Sequence, residues 1–152
     1  IFCRRLLRPG PVSANLLGAS VGCCAAAVVA AAKQHGNTKT LCGIEEGEEE
    51  AYFEECGLDA ADAILLSFDL EFNRSLKTAY LGENDIGDEG TAALSEALKS
   101  NNTLETLDLH VNQIGVAGAQ SLADMLHFNR ALTSLDLRNN EIGAVPAYVK
   151  LI

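Results

Sequence analysis

The stretch LETLDLHVNQIG, residues 104–115, has counterparts 28 residues before and 28 residues after it. Leu76, Leu104 and Leu132 fall in one column, followed by Leu81, Leu109 and Leu137, Asn84, Asn112 and Asn140, Ile86, Ile114 and Ile142, and Gly87, Gly115 and Gly143. Columns that stay in register over three copies define an internal repeat, so the unit must be read before the whole.

Within a copy, Leu104, Leu107 and Leu109 with Asn112 and Ile114 give the pattern LxxLxLxxNxI, a short strand with alternate residues inward followed by a tight turn. The second half, Ala117 to Phe128, sets Leu122, Met125 and Leu126 at helical spacing. Each unit is therefore a strand, a turn and an antiparallel helix. None can bury its apolar face alone, and stacked neighbours share one continuous core. The expected class is α/β, a short solenoid with parallel strands on one face and helices on the other.

These residues resemble the leucine-rich repeat superfamily, and the Leu94/Leu98 and Leu122/Leu126 pairs of the long helical half resemble its ribonuclease-inhibitor subtype. A degenerate earlier copy places Ala51, Phe53, Cys56, Leu58, Leu66, Leu70 and Asn73 in the corresponding columns, although Glu48 occupies the first leucine column. Residues 48–152 form the expected repeat domain, about three and a half repeats with the last incomplete.

Asn84, Asn112 and Asn140 are expected to be structural. A buried amide can bond the N–H and C=O groups that the turn leaves orphaned, and those groups are costly to bury unpaired. Gly87, Gly90, Gly115 and Gly118 are read as positions of backbone freedom or close approach.

Charge divides the chain. Residues 1–40 carry Arg4, Arg5, Arg8, Lys33 and Lys39 and no acid, +5, which leaves −15 of the total −10 for residues 41–152. Residues 1–33 are the basic N-terminal region, and they contain the weakly apolar run Leu16 to Ala32, with Leu16, Leu17, Gly18, Gly22, Val28 and Val29 among its residues. As a helix the run would measure roughly 25 Å against a hydrocarbon core of about 30 Å. Three readings fit it: a transmembrane anchor, which is the expectation, a buried helix covering the open end of the solenoid, or a plastid or mitochondrial targeting peptide. The corresponding location is membrane-associated and organellar, with the cytoplasm as the alternative.

Residues 34–47 are read as a linker and an acidic lead-in, where Glu45, Glu46, Glu48, Glu49 and Glu50 make a solvated edge. At the other end the register fails after Gly143, and Pro146 suits the first turn of a short final helix in AYVKLI. So short a helix would leave the last repeat open to a partner or to further repeats.

Catalytic chemistry is absent from the pattern. The five cysteines include no CxxC pair, so neither a zinc knuckle nor a disulfide framework is implied, and His35, His110 and His127 share no metal-ligand spacing. No phosphate-cradling loop or nucleophile elbow occurs. No catalytic residue, metal or cofactor is expected. With 48% hydrophobic but only 5% aromatic residues and no Trp, the composition suits an aliphatic core and argues against base stacking on nucleic acid.

The resemblance implies a concave face built from the side chains that alternate with the strand leucines. Tyr52, Tyr80, Asp108 and Asp136 would form one row, Glu54, Gly82, His110 and Arg138 the next, and Glu55, Glu83, Val111 and Asn139 a third. Tyrosines beside a charged rim suit protein binding, so Tyr52, Glu54, Tyr80, Glu83, Asp108, His110, Asp136 and Arg138 are the expected partner-binding residues. The negative field would repel nucleic acid. The function expected is a non-enzymatic protein-interaction module, a membrane-anchored accessory or assembly subunit. The alternative is a small-GTPase regulator, since Ran GTPase-activating proteins share the repeat subtype and use an arginine, for which Arg138 is the concave-face candidate.

Overall fold

The computed structural model describes residues 24–36, 38–143 and 148–150. Three strand-and-helix units follow one another: β1 (Glu50–Tyr52) and α2 (Ala60–Phe72), β2 (Thr78–Tyr80) and α3 (Gly87–Leu98), β3 (Thr106–Asp108) and α4 (Val116–Leu126). They are preceded by α1 (Ala25–His35) and followed by β4 (Ser134–Asp136) and β5 (Tyr148–Lys150).

The first four strands are parallel and adjacent in chain order. Their register is the sequence period itself, with Ala51, Ala79, Leu107 and Leu135 side by side and Tyr52, Tyr80, Asp108 and Asp136 beside them. A helix between consecutive strands makes each parallel crossover.

The aligned columns are the core. Leu76, Leu81, Ile86, Leu94, Leu98, Leu104, Leu107, Leu109 and Ile114 are all wholly buried, and Phe53 fills the degenerate copy's place in the column of Leu81. Burial loosens toward the last repeat, where Leu137 is slightly exposed and Ile142 only partly buried.

The asparagines act across repeat boundaries. Asn84 donates from Nδ2 to the carbonyls of Phe53 (2.8 Å) and Leu81 (2.9 Å) and accepts at Oδ1 from the N–H groups of Cys56 and Leu58. Asn112 donates to Leu81 O (2.8 Å), and Asn140 donates to Leu109 O (2.8 Å) while accepting from Asn112 N and Ile114 N. Each amide thus ties its own turn to the backbone of the preceding repeat.

A second asparagine ladder runs where helix returns to strand. Asn101 donates to Leu70 O and Asn129 to Leu98 O, and Asn73, Asn101 and Asn129 accept from the backbone at Leu76, Leu104 and Leu132. These three also stand 28 residues apart.

The glycines divide by role. Gly87 has φ +60°, which few L side chains adopt. At Gly90 a Cβ would meet Ile86 Cγ2 at 2.7 Å and Ala63 Cβ at 2.8 Å, so the helix could not approach so closely with any side chain there.

At the first end, α1 packs along α2 through Ala25, Val29 and Ala32, spaced at helical intervals and buried in the common core, with Val28 at its edge. Gly36, at φ +66°, ends the helix and donates to Ala32 O. The segment after it is pinned by Asp69, whose carboxylate accepts from the Thr40 hydroxyl and from the N–H groups of Leu41 (2.6 Å), Cys42 (3.1 Å) and Ile44 (3.4 Å). Leu41, Cys42 and Ile44 are consequently buried beside the first repeat.

Leu16, Leu17, Gly18 and Gly22 of the expected membrane helix lie outside the described residues. Among the described residues no helix is long and apolar enough to cross a membrane.

Two expectations are corrected. The tail does not form a helix at Tyr148–Lys150 but a strand, antiparallel to β4. The open edge of β4 offers unpaired backbone groups, and an extended segment satisfies them where three residues cannot sustain a helical nucleus. Cys56 is disulfide-bonded, a pairing that the cysteine spacing did not imply.

Candidate functional site

Strand pleating sends alternate side chains to opposite sides. Ala51, Ala79, Leu107 and Leu135 point into the core, and their neighbours point outward onto the free side of the sheet. The expected rows are therefore present: Tyr52, Tyr80, Asp108 and Asp136 along the strands, then Glu54, Gly82, His110 and Arg138 beyond the next buried column.

At one end of the face the rings of Tyr52 and Tyr80 stack, with centroids 4.9 Å apart and planes 12° from parallel. Tyr52 is 60% exposed. Its hydroxyl donates to Glu50, and that hydrogen bond to a carboxylate holds the phenol above its ordinary pKa.

At the other end Arg138 lies back along its own strand, where Nε and Nη2 donate to the Asp136 carboxylate at 2.9 and 2.6 Å. Burial alone would raise the Asp136 pKa. The side-chain and backbone hydrogen bonds from Arg138 outweigh it, and the carboxyl is held below its usual range.

Between these ends His110 gathers four carboxylates' influence. Its Nδ1 is 2.8 Å from Asp108 Oδ1, and its Nε2 is 3.5 Å from Glu83 Oε1 and 3.8 Å from Glu54 Oε1. The hydrogen bond to Asp108 raises the imidazole pKa, partial desolvation opposes it, and the field of Asp108, a hydrogen bond to Glu83 and the field of Asp136 add to the rise.

Gly82 makes the cluster sterically accessible. A Cβ on it would stand 2.1 Å from His110 Cε1, so the ring occupies the space that any side chain at this row position would take. The expected rows set Glu54 with His110 but Asp108 in a second row and Glu83 in a third, so their convergence on one imidazole is not visible in the rows. The readable signal was a glycine in a column whose other members, Glu54, His110 and Arg138, are long.

The turn that follows each strand has a further regularity. Glu55, Glu83, Val111 and Asn139 all have positive φ, between 50° and 57°, in one column. This turn aims Glu83 toward His110 of the next repeat.

The family description "Leucine Rich repeat" fits residues 72–95, 100–123 and 128–145. The chain is a leucine-rich-repeat protein. No curated protein matches its sequence. Among solved structures, Leiomodin-1 Actin-Binding Site 2 is similar to the leucine-rich-repeat protein with a TM-score of 0.57 and 23% identity, over 65% of this chain and 56% of that one. At that identity the likeness is one of fold.

Proposed function

We propose that this leucine-rich-repeat protein is a non-enzymatic docking module that takes a protein partner on the free face of its sheet. The observation that carries the reading is the stack of exposed Tyr52 on half-buried Tyr80 beside a rim of carboxylates. Two rigid aromatic rings supply contact area at small entropic cost, and the acids select a partner with a basic surface. Leucine-rich repeats serve commonly as protein-binding scaffolds, and the similar solved structure is an actin-binding segment of its own protein.

The helices of 13, 12 and 11 residues between successive strands support the ribonuclease-inhibitor-like subtype. Nothing in the geometry favours regulation of a GTPase, since the Arg138 guanidinium is engaged by Asp136. Burial of Ala25, Val29 and Ala32 against the first repeat supports α1 as a cap on the solenoid. A membrane attachment through the residues before Ala25 is tested by carbonate extraction of the full chain.

The docking reading is tested by replacing Tyr52 and Tyr80 together with Ala in the full chain and measuring capture of its partner from the native source. Capture should be lost while the thermal midpoint stays within a few degrees, because both rings lie outside the core. Undiminished capture by the double variant would refute the site.

A further inference from the structure

We propose that Glu54, Glu83 and His110 form a binding site for a divalent transition-metal ion of the zinc type, built from three consecutive repeats. One donor atom from each residue lies within 4.8 Å of the other two. The separations of His110 Nε2 from Glu83 Oε1 and Glu54 Oε1 are 3.5 and 3.8 Å. A tetrahedral zinc with bonds of about 2.0–2.1 Å sets its donors roughly 3.3 Å apart. The two separations from the imidazole therefore stand near the edge length of such a polyhedron, and rotations of the two exposed glutamates, whose oxygens lie within 4.8 Å of each other, would complete it.

The imidazole is prepared for this role independently of the glutamates. Asp108 Oδ1 engages Nδ1 at 2.8 Å and also accepts the His110 backbone N–H at 3.0 Å, so the ring is fixed from behind. That leaves Nε2 as the outward atom. A carboxylate behind a ligating histidine sets its tautomer and its orientation in metal sites generally. Without a bound cation or a proton, the Nε2 lone pair would face two carboxylate oxygens, an arrangement that electrostatics opposes. Gly82 supplies the clearance that brings the ring over the preceding repeat.

One nitrogen and two carboxylate oxygens suit zinc and its borderline neighbours better than a hard cation that demands six or more oxygens. The fourth position faces solvent and falls to water. Because Glu54, Glu83 and His110 come from different units, the ion would bridge three repeats and stiffen the free face. The site shares that face with partner docking but does not rest on the docking reading.

The test is calorimetric titration of the full chain, without partner, with Zn2+ at neutral pH, and with Co2+ as a spectroscopic substitute. One equivalent should bind, and Co2+ should show visible absorption of a four-coordinate N/O site. E54Q/E83Q alters only exposed side chains, so circular dichroism should be unchanged while affinity falls at least about tenfold. Asp108→Asn should weaken binding by roughly 10–100-fold through loss of the orienting carboxylate. Gly82→Ala, which displaces the ring, should weaken it too. Absence of binding, or binding that E54Q/E83Q leaves intact because the ion sits on the acidic run at residues 45–50 or on the cysteines, overturns the proposal. Either result can occur whether or not Tyr52 and Tyr80 capture a partner.

Discussion

Asp88 and Gly118 hold adjacent repeats together from opposite sides of one short contact. Asp88 Oδ1 accepts the Gly118 N–H at 2.8 Å and the Gly115 N–H at 2.8 Å, which serves the unpaired first turn of α4. A Cβ on Gly118 would stand 2.7 Å from that same oxygen and 2.7 Å from Ile114 Cγ2. Gly118→Ala should therefore cost roughly 1–3 kcal/mol, and Asp88→Ala about 1–2 kcal/mol through the lost cap. Urea denaturation of both singles and the double variant checks this. The double should cost less than the sum, because removing the carboxylate also removes part of the clash; strict additivity would show that the two residues are not coupled.

Asn112 is buried and donates to Leu81 O across the repeat boundary and to His110 O within its own turn. Asn112→Ala removes one of two donors from each carbonyl, since Leu81 O keeps the bond from Asn84 Nδ2 and His110 O the bond from the Glu83 N–H, and should cost about 1–2 kcal/mol. Asn112→Asp should not rescue it, since a carboxylate has no N–H to offer and faces carbonyl oxygens. Denaturant midpoints decide, and near-native stability of the Asp variant would contradict the assignment of donor and acceptor.

Val111 holds φ +50° with a branched side chain that is 39% exposed. The same column of the next repeat has Asn139 at φ +57°, a residue type that tolerates this region. Val111→Asn should raise stability by about 1 kcal/mol by relieving backbone strain. A lowered thermal midpoint would mean that the valine makes contacts worth more than the strain.

Asp136 gives a pH signature. Its folded-state pKa lies below the ordinary value because the hydrogen bonds from Arg138 outweigh burial. The associated stability is full above the unfolded aspartate pKa of about 3.9 and is lost as the pH falls through the lower folded value. Acidification should therefore destabilise the wild type more than Asp136→Asn, and the gap between them should close at the acid end. Parallel curves for the two proteins would remove the linkage.

Much of the fold was legible because a repeat turns a one-dimensional period into a three-dimensional register. Ala79, Leu107 and Leu135 share a column in the chain and a ladder in the sheet, and just past the strands the N–H groups of Leu81 and Leu109 carry the bonding on to the carbonyls of Asp108 and Asp136. The asparagine column likewise announced its role, since a buried amide at a turn has few other uses. The tail was less legible. Tyr148–Lys150 has no repeat partner to copy, and whether it coils or extends depends on the β4 edge it meets.

The sequence by itself determined the strand register, the identity of the core and the side chains that share the free face, because those follow from spacing alone. Only the tertiary structure decided that His110 turns back over Gly82 to meet Glu83 and Glu54, that α1 lies on α2, and that Asp69 gathers the backbone of Leu41, Cys42 and Ile44. The physical reason is that a period fixes where each Cα stands, whereas a side chain's direction depends on the space and the charge its neighbours leave.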